Sequence, residues 1–231
     1  MTNEVDFSVV IMTYNEVHSL EAVILEMLWV LQSLRRSYEI LIVDDGSSDG
    51  TAAVADHLSE KLSRVQTIHH DTNLGLGCVY RTGFQRSNGR FVTFFPADGQ
   101  FNPAIVSRMA GLIDNYDMVL GYLTGKRDSA LSKFLSWGEK LFYKLLFVTF
   151  PRFQGILMFQ RQILQTIPLI SSGRGWAVIM ELIIRTNNAG FKIISVSTGT
   201  LRPRKYGKSK VNNVRTILAN LKEAITLKRI L

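Results

Sequence analysis

The stretch EILIVDDGSSDGT, residues 39–51, passes from one structural regime to another. It begins as an unbroken β-branched and aliphatic run, the composition of a strand buried on both faces rather than one alternating between core and solvent. The run stops at two adjacent carboxylates, Asp44 and Asp45, followed by Gly46 and two serines. Asp49 then stands where it can cap an amphipathic segment. Strand, polar turn and capped helix form the repeating unit of an α/β fold, and the chain repeats it. FSVVIMTY (7–14), RVQTIHH (64–70), RFVTFFP (90–96) and YDMVLGY (116–122) read as further short strands. His18–Arg36, Asp49–Leu62, Gly75–Ser87 and Pro103–Asn115 read as the intervening helices, with Asn102 as N-cap and Pro103 in the first turn of the last. This alternation predicts a mostly parallel sheet covered by helices on both faces.

In such sheets ligands bind beyond the carboxyl ends of the strands. Polar residues gather there: Thr13-Tyr14-Asn15-Glu16, Asp44 to Thr51, and Asp98-Gly99-Gln100. Asp44 and Asp45 are adjacent like charges, a costly placement unless a cation or hydrogen-bond donor meets them; an Asx-turn into Gly46 is the plainer account. FFPADGQF (94–101) has the look of a metal-site rim, yet Pro96 stands where a second carboxylate would accompany Asp98. Neither a dinucleotide fingerprint nor a GxxxxGK[ST] loop follows the first strand, which argues against an NAD enzyme or a P-loop ATPase.

Charge divides the chain. Residues 1–125 hold 8 Lys/Arg against 15 Asp/Glu, residues 126–231 hold 19 against 4, and the net values of −7 and +15 make up the overall +8. A basic half suits an anionic partner or is simply a solvated face. Ser129–Phe150 reads as an aromatic, lysine-bearing helix, fit for a membrane interface or for a buried position with a basic rim. RFQGILMFQRQIL (152–164) reads as strand then helix, Trp176–Asn188 as a helix and FKIISVST (191–198) as a strand. The loop LRPRKYGKSKV (201–211) follows with Arg202, Arg204, Lys205, Lys208 and Lys210. The tail, 211–231, repeats apolar positions at Val211, Val214, Ile217, Leu218, Leu221 and Ile225, one face of an amphipathic helix. One cysteine, Cys78, excludes an internal disulfide and fits a reducing compartment. The N-terminus lacks the basic region of a signal peptide, and no stretch approaches the roughly 18 apolar residues of a membrane span.

With these residues in view the chain resembles the inverting family 2 glycosyltransferases, especially the dolichyl-phosphate mannosyltransferase and polyprenyl-phosphate sugar transferase branch. The matching pieces are VVIMTYNE (9–16), IVDDGSSDGT (42–51), NLGLG (73–77), PADGQFNP (96–103), Gln154-Gly155, Glu181 within a helix and RKYGKSK (204–210). The resemblance implies a nucleotide-sugar-binding fold of the GT-A type over residues 1–210. Residues 1–125 would be the nucleotide half and 126–210 the acceptor half. It implies that Thr13, Tyr14, Glu16 and Asp45 hold the base and ribose of a GDP- or UDP-sugar. Asp98 and Gln100 would face a divalent cation, Mg2+ or Mn2+. Arg127, Ser136, Arg204, Ser209 and Lys210 would meet a polyprenyl phosphate, with Asp98, Arg127 and Arg204 at the chemistry. The family commonly has Asp-Ala-Asp where this chain has Pro96-Ala97-Asp98, which weakens the metal site. Many relatives also carry transmembrane helices after this domain; here the tail and the aromatic helix are the expected replacements. They would hold the enzyme peripherally at the cytoplasmic face of an anionic membrane, with a membrane protein as a further partner and no nucleic acid.

The chemistry suits that division. A departing nucleoside diphosphate needs its growing charge stabilised. A phosphate monoester has a second pKa of about 6, so such an acceptor needs steering more than deprotonation. A hydroxyl acceptor would instead require a carboxylate base, with Glu181 or Asp128 to examine; Glu181 equally suits a structural pairing with Arg185. A non-catalytic nucleotide- or lipid-binding homologue is the reading from another class, favoured by Pro96 and opposed by the retained strand-end set. His18, His57, His69 and His70 show no metal-ligand spacing, with His69-His70 ending a strand, and Met27, Trp29 and Leu31 read as core.

Overall fold

The apolar runs form strands where the pattern places them: β1 (Phe7–Thr13), β2 (Tyr38–Asp44), β3 (Val65–His69), β4 (Phe91–Pro96) and β5 (Met118–Leu123). The structure is a computed structural model and describes residues 5–124, 151–206, 222, 223 and 225–229. Between the strands lie α1 (Leu20–Ser33), α2 (Thr51–Lys61), α3 (Leu76–Arg86) and α4 (Ala104–Ala110). The later part adds β6 (Leu157–Gln160), a single turn α5 (Ile163–Thr166), α6 (Ala177–Asn188) and β7 (Ile193–Gly199).

The seven strands form one sheet in the order β3-β2-β1-β4-β6-β5-β7. β1 pairs in parallel with β2 and β4, β2 with β3, and β5 with β7, whereas β6 runs antiparallel to both neighbours. Because successive side chains point to opposite faces, each apolar run feeds two cores at once. Val9, Ile11, Ile40, Ile42 and Phe95 meet α1, α2 and α4 on one face. Val10, Leu41, Val43, Phe94 and Phe159 meet α3 and α6 on the other. Each fully buried aliphatic or aromatic side chain contributes about 1.5–3 kcal/mol, so this double burial is what fixes the sheet. The arrangement is the predicted mostly parallel α/β sheet with helices on both faces.

Local signals also hold. The Asn102 side chain accepts the Ala104 N–H at 3.0 Å, and Asp49 Oδ1 accepts the Thr51 N–H at 3.1 Å. Helix α4 is shorter than expected: residues 111–115 continue it only as turns, with the Leu112 and Asn115 N–H groups donating to the Met109 and Leu112 carbonyls. One core assignment is corrected. Met27 and Leu31 are fully buried on α1, but Trp29 is 74% exposed; two residues along a helix turn the side chain about 200°, to the opposite face. In the C-terminal helical turn 225–229, Ile225 is exposed and Leu227 packs with Met180 and Ile184 of α6. Leu227 lies one helical turn after Glu223. Among the described residues no helix is long and apolar enough to cross a membrane. The expected aromatic helix Ser129–Phe150 and most of the tail lie outside the described residues.

The chain lays down β1, β2 and β3 in one direction and then returns to set β4 on the other side of β1. That reversal opens a crevice between the carboxyl ends of β1 and β4, the position where open α/β sheets bind ligands.

Candidate active site

Three loops at the carboxyl ends of β1, β2 and β3 are stitched together before any ligand is considered. Asn15 adopts a left-handed backbone (φ 51°). Its N–H donates to Ser47 Oγ at 2.8 Å, and its Oδ1 accepts the Ser48 N–H at 2.8 Å. The Glu16 N–H donates to Thr51 Oγ1 at 2.9 Å. Gly46, at φ +69°, lies so close to Thr72 that an added Cβ would sit 2.4 Å from its carbonyl carbon. Only glycine fits there, since both the conformation and the approach exclude a side chain.

The costly pair Asp44–Asp45 is met by partners from its own turn, from the end of β3 and from the loop after it. Asp44 accepts from Ser47 and faces His69 Nδ1 at 3.1 Å, which is the Asx-type turn the sequence suggests. Asp45 accepts the Leu74 and Gly75 N–H groups, each at 2.9 Å, and faces His70 Nδ1 at 2.8 Å. Both carboxylates are almost wholly buried. The other ring nitrogen of each histidine is engaged too, His69 with Asp56 and His70 with Thr82. These histidines end a strand as expected, but they also orient the two aspartates. Their adjacency to each other was the visible signal, and their partners lie 25 residues away in sequence.

Among the described residues one arginine crosses the crevice. Beyond β7 the chain returns over the strand ends, and Arg204 reaches both walls. Its Nη1 lies 3.3 Å from Asp98 Oδ2 beyond β4, and its Nη2 pairs with Glu16 Oε1 beyond β1. The three side chains are 15%, 19% and 10% exposed, so the ion pair is shielded from bulk solvent. Asp98 Oδ1 accepts the Gln100 N–H at 3.0 Å, and Glu16 Oε2 accepts from Ser19 at 3.2 Å. Pro96 ends β4 opposite Met12, beyond the last residue paired with β6, so its missing N–H removes no ladder bond.

The sequence-predicted residues therefore divide. Glu16, Asp98 and Arg204 converge, with Gln100 beside Asp98. Thr13 and Asp45 are buried behind the crevice, and Tyr14 is half-buried at its edge. Arg127, Ser136, Ser209 and Lys210 lie outside the described residues, as does Asp128. Glu181 is fully buried, accepts the Ile170 and Ser171 N–H groups and pairs with Arg185 Nε at 2.8 Å. Burial opposes its charge, but these donors hold its pKa below the usual carboxylate range, which suits an anchor rather than a base. Among the described residues no three His, Cys, Asp or Glu gather as a metal cage.

The sequence signature described as Glycosyl transferase family 2 matches residues 8–167, more than half of the chain. The chain belongs to that family. Within it, the polyprenol monophosphomannose synthase of Mycolicibacterium smegmatis is 28% identical, over 94% of this chain and 83% of the relative. An undecaprenyl-phosphate mannosyltransferase of Micrococcus luteus is 26% identical, over 88% and 86%. Glucosyl-3-phosphoglycerate synthase from Mycobacterium tuberculosis, solved with Mn2+, uridine diphosphate and phosphoglyceric acid, superposes with a TM-score of 0.66. That likeness covers 95% of this chain and 78% of the other at 20% identity, and it shows the shared GT-A fold. The family 2 match includes β1 from Ser8, β4 and the loops that carry Glu16 and Asp98, whereas Arg204 lies beyond it.

Proposed function

We propose that this family 2 glycosyltransferase moves one sugar, with inversion, from a nucleotide-sugar donor to a polyprenyl phosphate. The observation that carries the reading is the convergence of Glu16, Asp98 and Arg204 at the topological switch point, in a chain whose relatives of matching length act on polyprenyl phosphates. The donor lies over the strand ends, its base and ribose against the Thr13–Glu16 loop with Asp45 supporting that loop from behind. Residues 1–125 serve the nucleotide and 126–210 the acceptor. The enzyme works peripherally at the cytoplasmic face of an anionic membrane.

A divalent cation, Mg2+ or Mn2+, would be held by Asp98 and the Gln100 side-chain carbonyl and would offset the charge growing on the diphosphate. The donor set fits such an ion: one carboxylate oxygen is turned to an exchangeable arginine contact at 3.3 Å, and magnesium is commonly bound by one carboxylate plus substrate phosphates. Pro96 contributes no ligand, so the ion's affinity depends on the diphosphate. The acceptor phosphate is already anionic at neutral pH and needs no base. Arg204, with Arg127, Ser136, Ser209 and Lys210, neutralises and aligns it behind the sugar carbon opposite the leaving group.

The test is direct. Purified protein is incubated with labelled GDP- and UDP-sugars, a polyprenyl phosphate and Mg2+ or Mn2+. A glycolipid should form from one donor, and Asp98→Asn should lower its rate by about a hundredfold or more while leaving the melting temperature nearly unchanged. No glycolipid from any common donor, with membranes supplied, overturns the reading.

A further inference from the structure

The helical turn near the end of the chain is fastened to the fold by two inward side chains. Leu227, 1% exposed, packs on Met180 and Ile184 of α6. One turn earlier the Glu223 carboxylate accepts the Arg174 N–H at 3.0 Å and the Gly175 N–H at 3.2 Å. A carboxylate on backbone N–H groups makes charge-assisted hydrogen bonds, stronger than neutral ones. The fit is close, since a Cβ added at Gly173 would lie 2.5 Å from Glu223 Cδ and would push the carboxylate aside. The loop held in this way bears on the nucleotide half. Arg81 of α3 donates to the Ser171 and Gly173 carbonyls at 3.2 and 3.3 Å. The Arg174 carbonyl accepts the Gly77 N–H at 2.8 Å, and Arg174 Nη2 donates to the Asn73 carbonyl and Oδ1 at 2.7 and 3.2 Å. Leu74 and Gly75, the next two residues, supply the N–H groups that Asp45 accepts, and the Asp45 N–H donates to the Thr13 carbonyl at 2.9 Å. A hydrogen-bonded path therefore runs from the tail to the end of β1.

We propose that Glu223 is a positioning residue for the donor: the docked tail fixes the 173–175 loop, that loop fixes Asn73–Gly75, and the nucleotide is thereby held more tightly. This rests on the donor reading above, in which Asp45 supports the Thr13–Glu16 loop from behind. Arg174 is the joint, because its N–H meets Glu223 while its guanidinium meets Asn73. Ordering a loop costs conformational entropy. When the tail has already ordered the loop, ligand binding no longer carries that cost, and affinity rises with no new contact to the ligand. Glu223 touches neither Asp45 nor the Thr13–Glu16 loop, so its effect on the donor is transmitted through 173–175 and 73–75. A tail drawn away from α6 would leave the donor site weaker, which ties the state of the chain's last turn to nucleotide affinity.

The experiment is calorimetric titration of the full chain with UDP and with GDP in the presence of Mn2+, together with amide hydrogen exchange. Glu223→Ala should weaken binding of whichever nucleotide the wild type takes by about fivefold, within the range by which mutations along such networks alter coupling. Glu223→Gln keeps a neutral acceptor roughly half as strong and should lose only about twofold. Gly173→Ala displaces the carboxylate without removing it, should lose as much as Glu223→Ala, and serves if that variant misfolds. In Glu223→Ala the Leu74 and Gly75 N–H groups should exchange faster while those of β1 keep their protection, the mark of local rather than global loosening. Arg174→Gln should weaken binding too, and the double variant Glu223→Ala with Arg174→Gln should be no worse than the poorer single one, because both act on one path. Unchanged nucleotide affinity in Glu223→Ala and Gly173→Ala, losses that multiply in the double variant, or faster exchange throughout β1 would each overturn the positioning role and leave the donor reading standing. Failure of the wild type to bind either nucleotide overturns both.

Discussion

His69 ties two elements together through opposite edges of its ring, Asp44 at Nδ1 and Asp56 at Nε2. Burial works against its charged form, but the two carboxylates more than offset this and raise its pKa above the ordinary value. A proton held more tightly by the folded state stabilises that state fully below the unfolded pKa of about 6.5. The contribution is then lost as pH rises through the higher folded value. Thermal melts between pH 5.5 and 8.5 should fall more steeply for the wild type than for His69→Gln. The ring is 37% exposed, so solvent screening keeps the difference to about 1 kcal/mol or less. A parallel slope for the two proteins would remove His69 from the account. Asp45 makes a sharper case: its carboxylate accepts two backbone N–H groups and faces His70. Asp45→Asn turns an acceptor into a donor facing donors and should cost about 1–3 kcal/mol in denaturant melts. The strain of adjacent carboxylates was legible in VDDGS. So was the turn in which Ser47 meets Asp44, but the histidines and the backbone donors to Asp45 were not, because 25 to 30 residues of chain separate them from the aspartates.

Helix α1 shows which part of an element carries stability. Met27 is fully buried between α1 and the sheet, whereas Trp29 stands in solvent. Met27→Ala should cost about 2–5 kcal/mol, and Trp29→Ala should change stability by no more than about 0.5 kcal/mol, both read from urea unfolding. At the start of α3, Gly77 is pressed against the 173–175 loop: an added Cβ would lie 2.1 Å from the Gly173 carbonyl oxygen. That atom is backbone and cannot swing aside. Gly77→Ala should therefore cost about 1–3 kcal/mol and speed hydrogen exchange at the Gly77 N–H, now bonded to the Arg174 carbonyl at 2.8 Å. Strands and helices were legible because each apolar run has a definite period and length. The direction of β6 was not, since the same four residues bury equally well either way. The route of 201–206 was equally hidden. A basic loop is legible as basic, but its path depends on Glu16, Glu26 and Asp98, which come from three separate parts of the chain.

Across the whole molecule the dominant asymmetry is charge, with −7 on residues 1–125 and +15 on residues 126–231. This was readable without coordinates, because a net charge needs no knowledge of contacts. Its consequence for the proposed membrane role is an electrostatic attraction. An anionic surface attracts the second half by about 1 kcal/mol per basic residue close to it and repels the first half. In vesicle sedimentation, the protein should bind membranes containing about a third anionic lipid at low ionic strength and not bind neutral ones. Binding should weaken steadily with added salt and vanish before 1 M, where the screening length falls to about 3 Å. Attachment to neutral vesicles that persists at high salt would mean that apolar contacts hold the protein. The division of charge would then have no part in where the enzyme works.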